Sequence, residues 1–216
     1  MRILIALILL CNIPKSGVTQ EYSPRTQDAE LWTALTVNKS ITKKMDISAN
    51  GAYRLQNNFS EFRSSFVQIN ASYDILKELN VGTSYRYSNR RNNNYEHIWM
   101  LKSRYKYRLK PLDISTRFRF DYRVNESSLT RQIFRQKFQI KYRRKKKFYR
   151  PFVFYEQFYT SSFNYSNFNR FRLGLGSDFK LSKSFTVEVN YFIQSDQNQA
   201  KPQDSYVFDF GISYDL

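Results

Sequence analysis

A hydrophobic period of two residues, sustained through most of the chain, is the feature that most constrains its fold. It is cleanest near the C-terminus. Tyr206, Phe208, Phe210, Ile212, Tyr214 and Leu216 fall on one face, and Val207, Asp209, Gly211, Ser213 and Asp215 on the other. Strand side chains point to opposite sides at each step, so this segment has one wholly apolar face about 17 Å or more in length and one mostly polar face.

From Leu31 onward eleven alternating segments of roughly ten residues can be read, near the length a tilted membrane strand requires. They cover approximately 31–38, 45–56, 63–73, 79–88, 96–108, 113–123, 131–142, 149–160, 168–179, 185–194 and 205–216. No helical period competes in this stretch. The connections alternate between two classes. Lys39 to Lys44, Asp74 to Glu78, Leu109 to Leu112, Arg143 to Phe148 and Lys180 to Ser184 are short and rich in Lys; Asn57 to Phe62, Asn89 to Tyr95, Val124 to Thr130, Ser161 to Asn167 and Ser195 to Asp204 are rich in Asn, Ser and Gln and read as longer loops. Short turns at one rim and polar loops at the other describe an antiparallel meander, with the short turns facing the periplasm if it spans an outer membrane.

Composition supports that architecture. Tyr and Phe number 17 and 19, yet the net charge is +17. A strand that is apolar toward lipid and polar toward a lumen reconciles the two. The expected fold is therefore all-β, an antiparallel up-and-down transmembrane β-barrel of about twelve strands. Eleven strands would make the first and last run the same way, whereas bacterial barrels as a rule have even numbers. The closing strand is thus expected to meet an antiparallel partner. Residues 20–30 are where a twelfth strand or a lumen segment is sought, although Pro24 cannot donate to a ladder.

Residues 1–19 read as a signal peptide, because Met1 and Arg2 precede eight apolar residues, Ile3 to Leu10, too short a run to span a bilayer. Leu10 argues against lipidation of Cys11, since such signals place a smaller residue before the Cys. With the signal removed the barrel, residues 31–216, has no cysteine. The aromatic alternation of Tyr206 to Leu216 resembles the C-terminal insertion signal of bacterial outer-membrane barrels, with Leu216 in place of the usual Phe.

Assigning the apolar parity outward puts Ile47, Tyr53, Val67, Ile69, Tyr85, Phe118, Phe134, Ile140, Val189 and Tyr191 toward lipid, with Tyr and Trp near strand ends as interfacial girdles. The opposite parity is cationic. Arg54, Arg86, Arg104, Arg117, Arg119, Arg135, Lys137, Arg170 and Arg172 form the candidate lumen cations, alongside Lys102, Lys106, Arg123, Arg131 and Lys141. Asp121, Glu156, Asp178, Glu188 and Asp209 are the candidate lumen carboxylates, with Asp46 on the same face. An Arg or Lys turned to lipid near the midplane costs about 2–4 kcal/mol, so the bases must face inward. The eighth strand is ambiguous, since Phe152, Phe154 and Phe158 share the parity of Glu156; Glu156 is placed inward.

Two readings of the basic lumen follow. Long polar side chains paired with carboxylates can fill a narrow barrel; alternatively, uncompensated bases line an anion-preferring passage. The expected function is a small passive pore or uptake channel with a cationic lumen and a small anionic solute as cargo. The alternative is a plugged structural or envelope-maintenance barrel. Expected partners are the lipid bilayer, lipopolysaccharide and the outer-membrane assembly machinery, at the bacterial outer membrane.

Remoter alternatives are a lipid-modifying barrel enzyme and a basic nucleic-acid-binding protein. The single histidine, His97, has Trp99 where the lipid A deacylase pattern wants Ser, so no catalytic residue is assigned. No cofactor or metal motif is present; Gly174 and Gly176 read as a bend or a close approach inside a strand. The basic run Arg143 to Lys147 lies in a short turn and suits anionic head groups better than nucleic acid. Finally, Glu30 to Leu35 (Glu-Leu-Trp-Thr-Ala-Leu), the turn Ile41 to Asp46, Pro151 to Phe158 and Asn169 to Gly176 (Asn-Arg-Phe-Arg-Leu-Gly-Leu-Gly) resemble the family catalogued as domain of unknown function 2490. The resemblance implies an outer-membrane barrel and brings no activity, ligand or catalytic residue.

Overall fold

The alternating segments form strands because β-branched and aromatic residues fill one face of each and no helical stripe competes. A computed structural model describes residues 26–92, 94–125, 128–143, 148–162, 165–197 and 202–216. Eleven strands appear: β1 (Thr26–Ser40), β2 (Met45–Gln56), β3 (Glu61–Asp74), β4 (Leu79–Arg90), β5 (Asn94–Leu109), β6 (Leu112–Asn125), β7 (Ser128–Tyr142), β8 (Tyr149–Ser162), β9 (Tyr165–Lys180), β10 (Phe185–Asp196) and β11 (Gln203–Asp215). Each pairs with its sequence neighbours in antiparallel register, and the sheet closes into a barrel.

Closure departs from the sequence expectation. The count is eleven rather than about twelve, and β1 pairs with β11 in parallel, from Thr26 opposite Gln203 to Asn38 opposite Asp215. An odd number of alternating strands leaves the first and last pointing the same way. A parallel ladder still pairs their backbone groups, so no extra strand is required. Residues 26–30 extend β1; residues 1–25, which hold the expected signal peptide and Pro24, lie outside the described residues.

The connections are also shorter than expected at the Asn-rich rim. β2 ends at Gln56 and β3 begins at Glu61, while β4 ends at Arg90 and β5 begins at Asn94. The strands continue pairing through segments read as loops, because polar residues there face each other across the ladder. The two rims differ in composition rather than in loop length. Asn57, Asn58 and Phe59 turn the chain with φ of 53°, 54° and 68°. Asn tolerates this left-handed region; Phe does not without strain. Phe59 is held there by its ring, which meets Phe208 edge-on at 5.9 Å.

Outward parity is as the pattern predicted. Val67, Ile69, Tyr53, Phe134, Ile140, Phe208, Phe210, Ile212 and Tyr214 are exposed around the barrel's outer face. Apolar exposure on this scale would be costly in water and is what hydrocarbon accommodates. The buried core is the lumen itself, where Trp32, Phe152, Phe154, Phe192 and Val207 cluster.

Candidate functional site

The lumen is built from the inward parity of all eleven strands, and its contents change from one rim to the other. Toward the Asn-rich rim, carboxylates are wholly buried among guanidinium groups. Glu30 pairs with Arg63 and accepts from the Trp32 indole at 2.8 Å. Glu96 faces Arg90 at 2.9 Å, Arg123 at 3.5 Å and Arg131 at 3.6 Å. Asp121 binds Arg119 at 2.6 Å and Arg123 at 3.2 Å, and Asp196 pairs with Arg170. Buried charge needs such partners, because each uncompensated ion in a low-dielectric interior costs several kcal/mol.

Across the middle, rings and guanidinium groups alternate. The Arg86 guanidinium lies 3.7 Å from the Phe66 ring centre, and Arg54 lies 5.1 Å from Phe66 and 3.8 Å from Trp32. Arg172 approaches Trp32 at 4.9 Å, Phe192 at 5.3 Å and Phe158 at 4.8 Å; Arg135 sits 4.3 Å from Phe158. This chain of contacts runs around the inner wall from β4 through β1 to β7, with Arg172 on β9 reaching Trp32 on β1 past β10 and β11. Desolvated cation–π contacts are worth up to about 2 kcal/mol each. Glu156 anchors the layer, 2.8 Å from Arg135, 3.2 Å from Arg117 and 3.4 Å from Arg172.

The β8 ambiguity is resolved by what lies opposite. Glu156 is inward together with Phe152, Phe154 and Phe158, all buried. Room for the rings comes from β9: Gly174 stands between Phe154 and Phe192, and Gly176 between Phe152 and Asn190. A Cβ on Gly174 would lie 2.7 Å from the Tyr191 carbonyl oxygen and 2.9 Å from Phe154 Cε1, and would collide with Phe192 Cβ. The pair of glycines is therefore a close-packing device rather than a bend.

Toward the Lys-rich rim the lumen opens. A cavity of about 750 Å³ is lined by Thr36, Asn38, Ser48, Asn70, Asn80 and Ser84 on one side and by Lys102, Arg104 and Arg117 on the other. A smaller cavity of about 140 Å³ shares Arg104 and Arg117 and adds Lys106, Lys137 and Lys141. Of the remaining predicted carboxylates, Asp178 holds Lys141 at 2.6 Å toward this end, while Asp209 is level with Trp32. The Asn190 amide donates to Glu188 at 2.7 Å and to Asp209 at 3.0 Å. Asp46 accepts from Ser40 at 2.7 Å. Of the basic run in the β7–β8 turn, Arg143 pairs with Asp113 at 3.3 Å; residues 144–147 lie outside the described residues.

All nine predicted lumen cations and five carboxylates thus face inward. Periodicity placed Phe158 on the inward parity of Glu156 but missed the other rings of the layer. Trp32 is a lumen residue and not part of an interfacial girdle, and Phe66 and Phe192 are inside with it. The signal was available in parity: Trp32 shares a face with Glu30, Phe66 lies between Ser64 and Gln68, and Phe192 lies between Asn190 and Gln194. Along β11, Phe208, Phe210, Ile212 and Tyr214 are exposed on the outer face, and the exposed Leu216 follows the end of the strand.

His97 is on the outer face, where its Nδ1 lies 2.7 Å from the Tyr85 hydroxyl and its ring 5.2 Å from that of Tyr87. Among the described residues no group of three His, Cys, Asp or Glu side chains is placed to hold a metal ion.

The family described as "Protein of unknown function (DUF2490)" matches residues 29–205, which run from the first strand into the last. The chain belongs to the DUF2490 family. No curated protein matches it. Among solved structures, this DUF2490 barrel resembles one described as "Bacterial polysaccharide outer membrane secretin". The identity is 8%, 76% of this chain and 73% of that chain are covered, and the TM-score is 0.53. It is also similar to the β domain of the Bordetella autotransporter BrkA, with 11% identity, 71% and 78% coverage and a TM-score of 0.42. The first likeness is one of fold: the DUF2490 chain is a closed barrel of the kind found in outer-membrane proteins.

Proposed function

We propose that this DUF2490 protein is an outer-membrane barrel whose lumen is a vessel open only at the Lys-rich rim, and that it does not act as a standing pore. The observation that carries this reading is the layer of Trp32, Arg54, Phe66, Arg172, Phe158 and Arg135 across the middle of the lumen, backed by the buried ion pairs of Glu30, Glu96 and Asp121. Trp32, Phe66, Phe158 and Phe192 are all nearly inaccessible, which supports a filled bore with no continuous aqueous path for a hydrated ion. The apolar outer face supports insertion in a bilayer, and the outer-membrane-type fold supports that membrane.

An anion passage is the second reading, favoured by the excess of inward bases over inward acids. It requires the central layer to move. Planar-bilayer recordings on the folded protein separate the two. The closed vessel gives no steady conductance, and a steady anion-selective current would overturn it in favour of the passage.

We assign His97 to an outward aromatic cluster with Tyr85, Tyr87 and Trp99 rather than to catalysis, because its bonded neighbour is a tyrosine and its surroundings are rings. Any lipid hydrolysis by the purified protein that disappears in His97→Ala would reverse that assignment.

A further inference from the structure

Register brings together charges that periodicity alone could not place. On three adjacent strands, Arg104 is directly opposite Arg117, and Arg117 is directly opposite Lys137. Two residues along the strands, Lys102 is opposite Arg119, and Arg119 is opposite Arg135. Like charges directly opposite on neighbouring strands destabilise a sheet. Two carboxylates serve this block, and both are shared: Asp121 also holds Arg123, and Glu156 also holds Arg172. Among the described residues, Lys102, Arg104 and Lys137 have no carboxylate within ion-pair distance. The Lys102 ammonium donates to Asn70 at 2.8 Å, and Lys137 lies 3.9 Å from the Phe154 ring.

These cations border the open cavities. Arg104 and Arg117 line both, Lys102 the larger and Lys137 the smaller. Facing them across the larger cavity are hydroxyls and amides, among them Ser48, Asn70, Asn80 and Ser84, together with the carboxylates Asp46 and Asp215, which accept hydrogen bonds from Ser40 and Asn38. A cationic wall opposite a wall of hydroxyls, amides and two hydrogen-bonded carboxylates, in a space of about 750 Å³, matches a ligand with an oxyanion at the cationic end and hydroxyl groups at the other. Arg pairs with such oxyanions through two parallel N–H donors.

We infer that the vestibule binds a hydroxyl-bearing oxyanion of the sugar-phosphate class, with Arg104, Arg117 and Lys137 on the anion and the Ser/Asn wall on the hydroxyls. The inference deepens the closed-vessel reading and rests on it for the ligand entering from the Lys-rich rim.

The test is equilibrium titration of the detergent-folded protein with glucose 6-phosphate, inorganic phosphate and glucose at low salt, where screening is weak. Saturable binding of glucose 6-phosphate is expected, weaker binding of phosphate, and none of glucose. In the double variant Arg104→Gln/Lys137→Gln, affinity for glucose 6-phosphate falls at least tenfold. The ligand-free unfolding midpoint of that variant stays level or rises, because like-charge repulsion is relieved.

Three results overturn the inference: no saturable binding by the natural chain, unchanged affinity in the double variant, or a lowered midpoint with affinity intact. Phosphate binding as tight as glucose 6-phosphate overturns the role of the Ser/Asn wall. Conductance is measured separately, so a barrel that conducts would sink the closed vessel without touching the binding result.

Discussion

Glu156 is the residue on which most of the central layer depends electrostatically. It is nearly inaccessible, and Arg117, Arg135 and Arg172 from three other strands converge on it. Removing its charge leaves buried guanidinium groups facing one another. Glu156→Gln is therefore expected to cost about 3–5 kcal/mol, the usual range for breaking a buried pair. Urea unfolding of the folded barrel in detergent measures it, and a loss below about 1 kcal/mol would show that water reaches the site. Glycine positions give a second contrast. Gly174→Ala forces a methyl group against Phe192, Phe154 and the β10 backbone, and overpacking of this kind costs about 1–3 kcal/mol. Gly51 has nothing within 4 Å of a built Cβ, so Gly51→Ala should leave the same unfolding curve within about 0.5 kcal/mol.

At the scale of elements, the parallel β1–β11 seam distinguishes this barrel from one closed by antiparallel pairing throughout. Its register is pinned at the Lys-rich end by the Asn38 amide donating to Asp215 at 2.8 Å. At the other end the β2–β3 turn bridges it: the Asn58 N–H donates to Asp28 on β1 while Phe59 reaches Phe208 on β11. A one-residue slip would turn every side chain of a strand to the opposite face, which makes the register testable. In a Cys11→Ser background, Thr36→Cys with Ser213→Cys should form a disulfide under mild oxidation, since these residues are direct partners on the lumen side. Thr36→Cys with Tyr214→Cys should not, because those side chains point to opposite faces. Cross-linking of the second pair and not the first would mean that the seam is shifted.

For the whole molecule, the proposed closure of the bore rests on packing, so it should yield to removal of bulk. The triple variant Trp32→Ala/Phe154→Ala/Phe192→Ala takes rings out of the layer while leaving its cations. It is expected to convert a silent barrel into one with steady, anion-preferring current in planar bilayers; a variant that folds and stays silent would place the block elsewhere in the lumen. The sequence by itself determined the strands, the two faces of each, and the inward placement of Arg54, Arg104, Glu156 and their companions. It could do so because alternation is local, and a charged side chain has only one tolerable direction when the other face meets hydrocarbon. Eleven strands were also legible in it, and only the rule of even numbers raised the expectation to about twelve; how the barrel closes was beyond it. Whether β1 and β11 meet in parallel depends on hydrogen bonds between residues 177 positions apart, as between Asn38 and Asp215. The same holds for the site. Parity placed Arg104, Arg117 and Lys137 on one face, but only the register of three strands set them side by side without enough carboxylates. Only the tertiary structure showed Trp32, Phe66 and Phe192 filling the bore, because an aromatic ring fits lipid or core equally well until its neighbours decide.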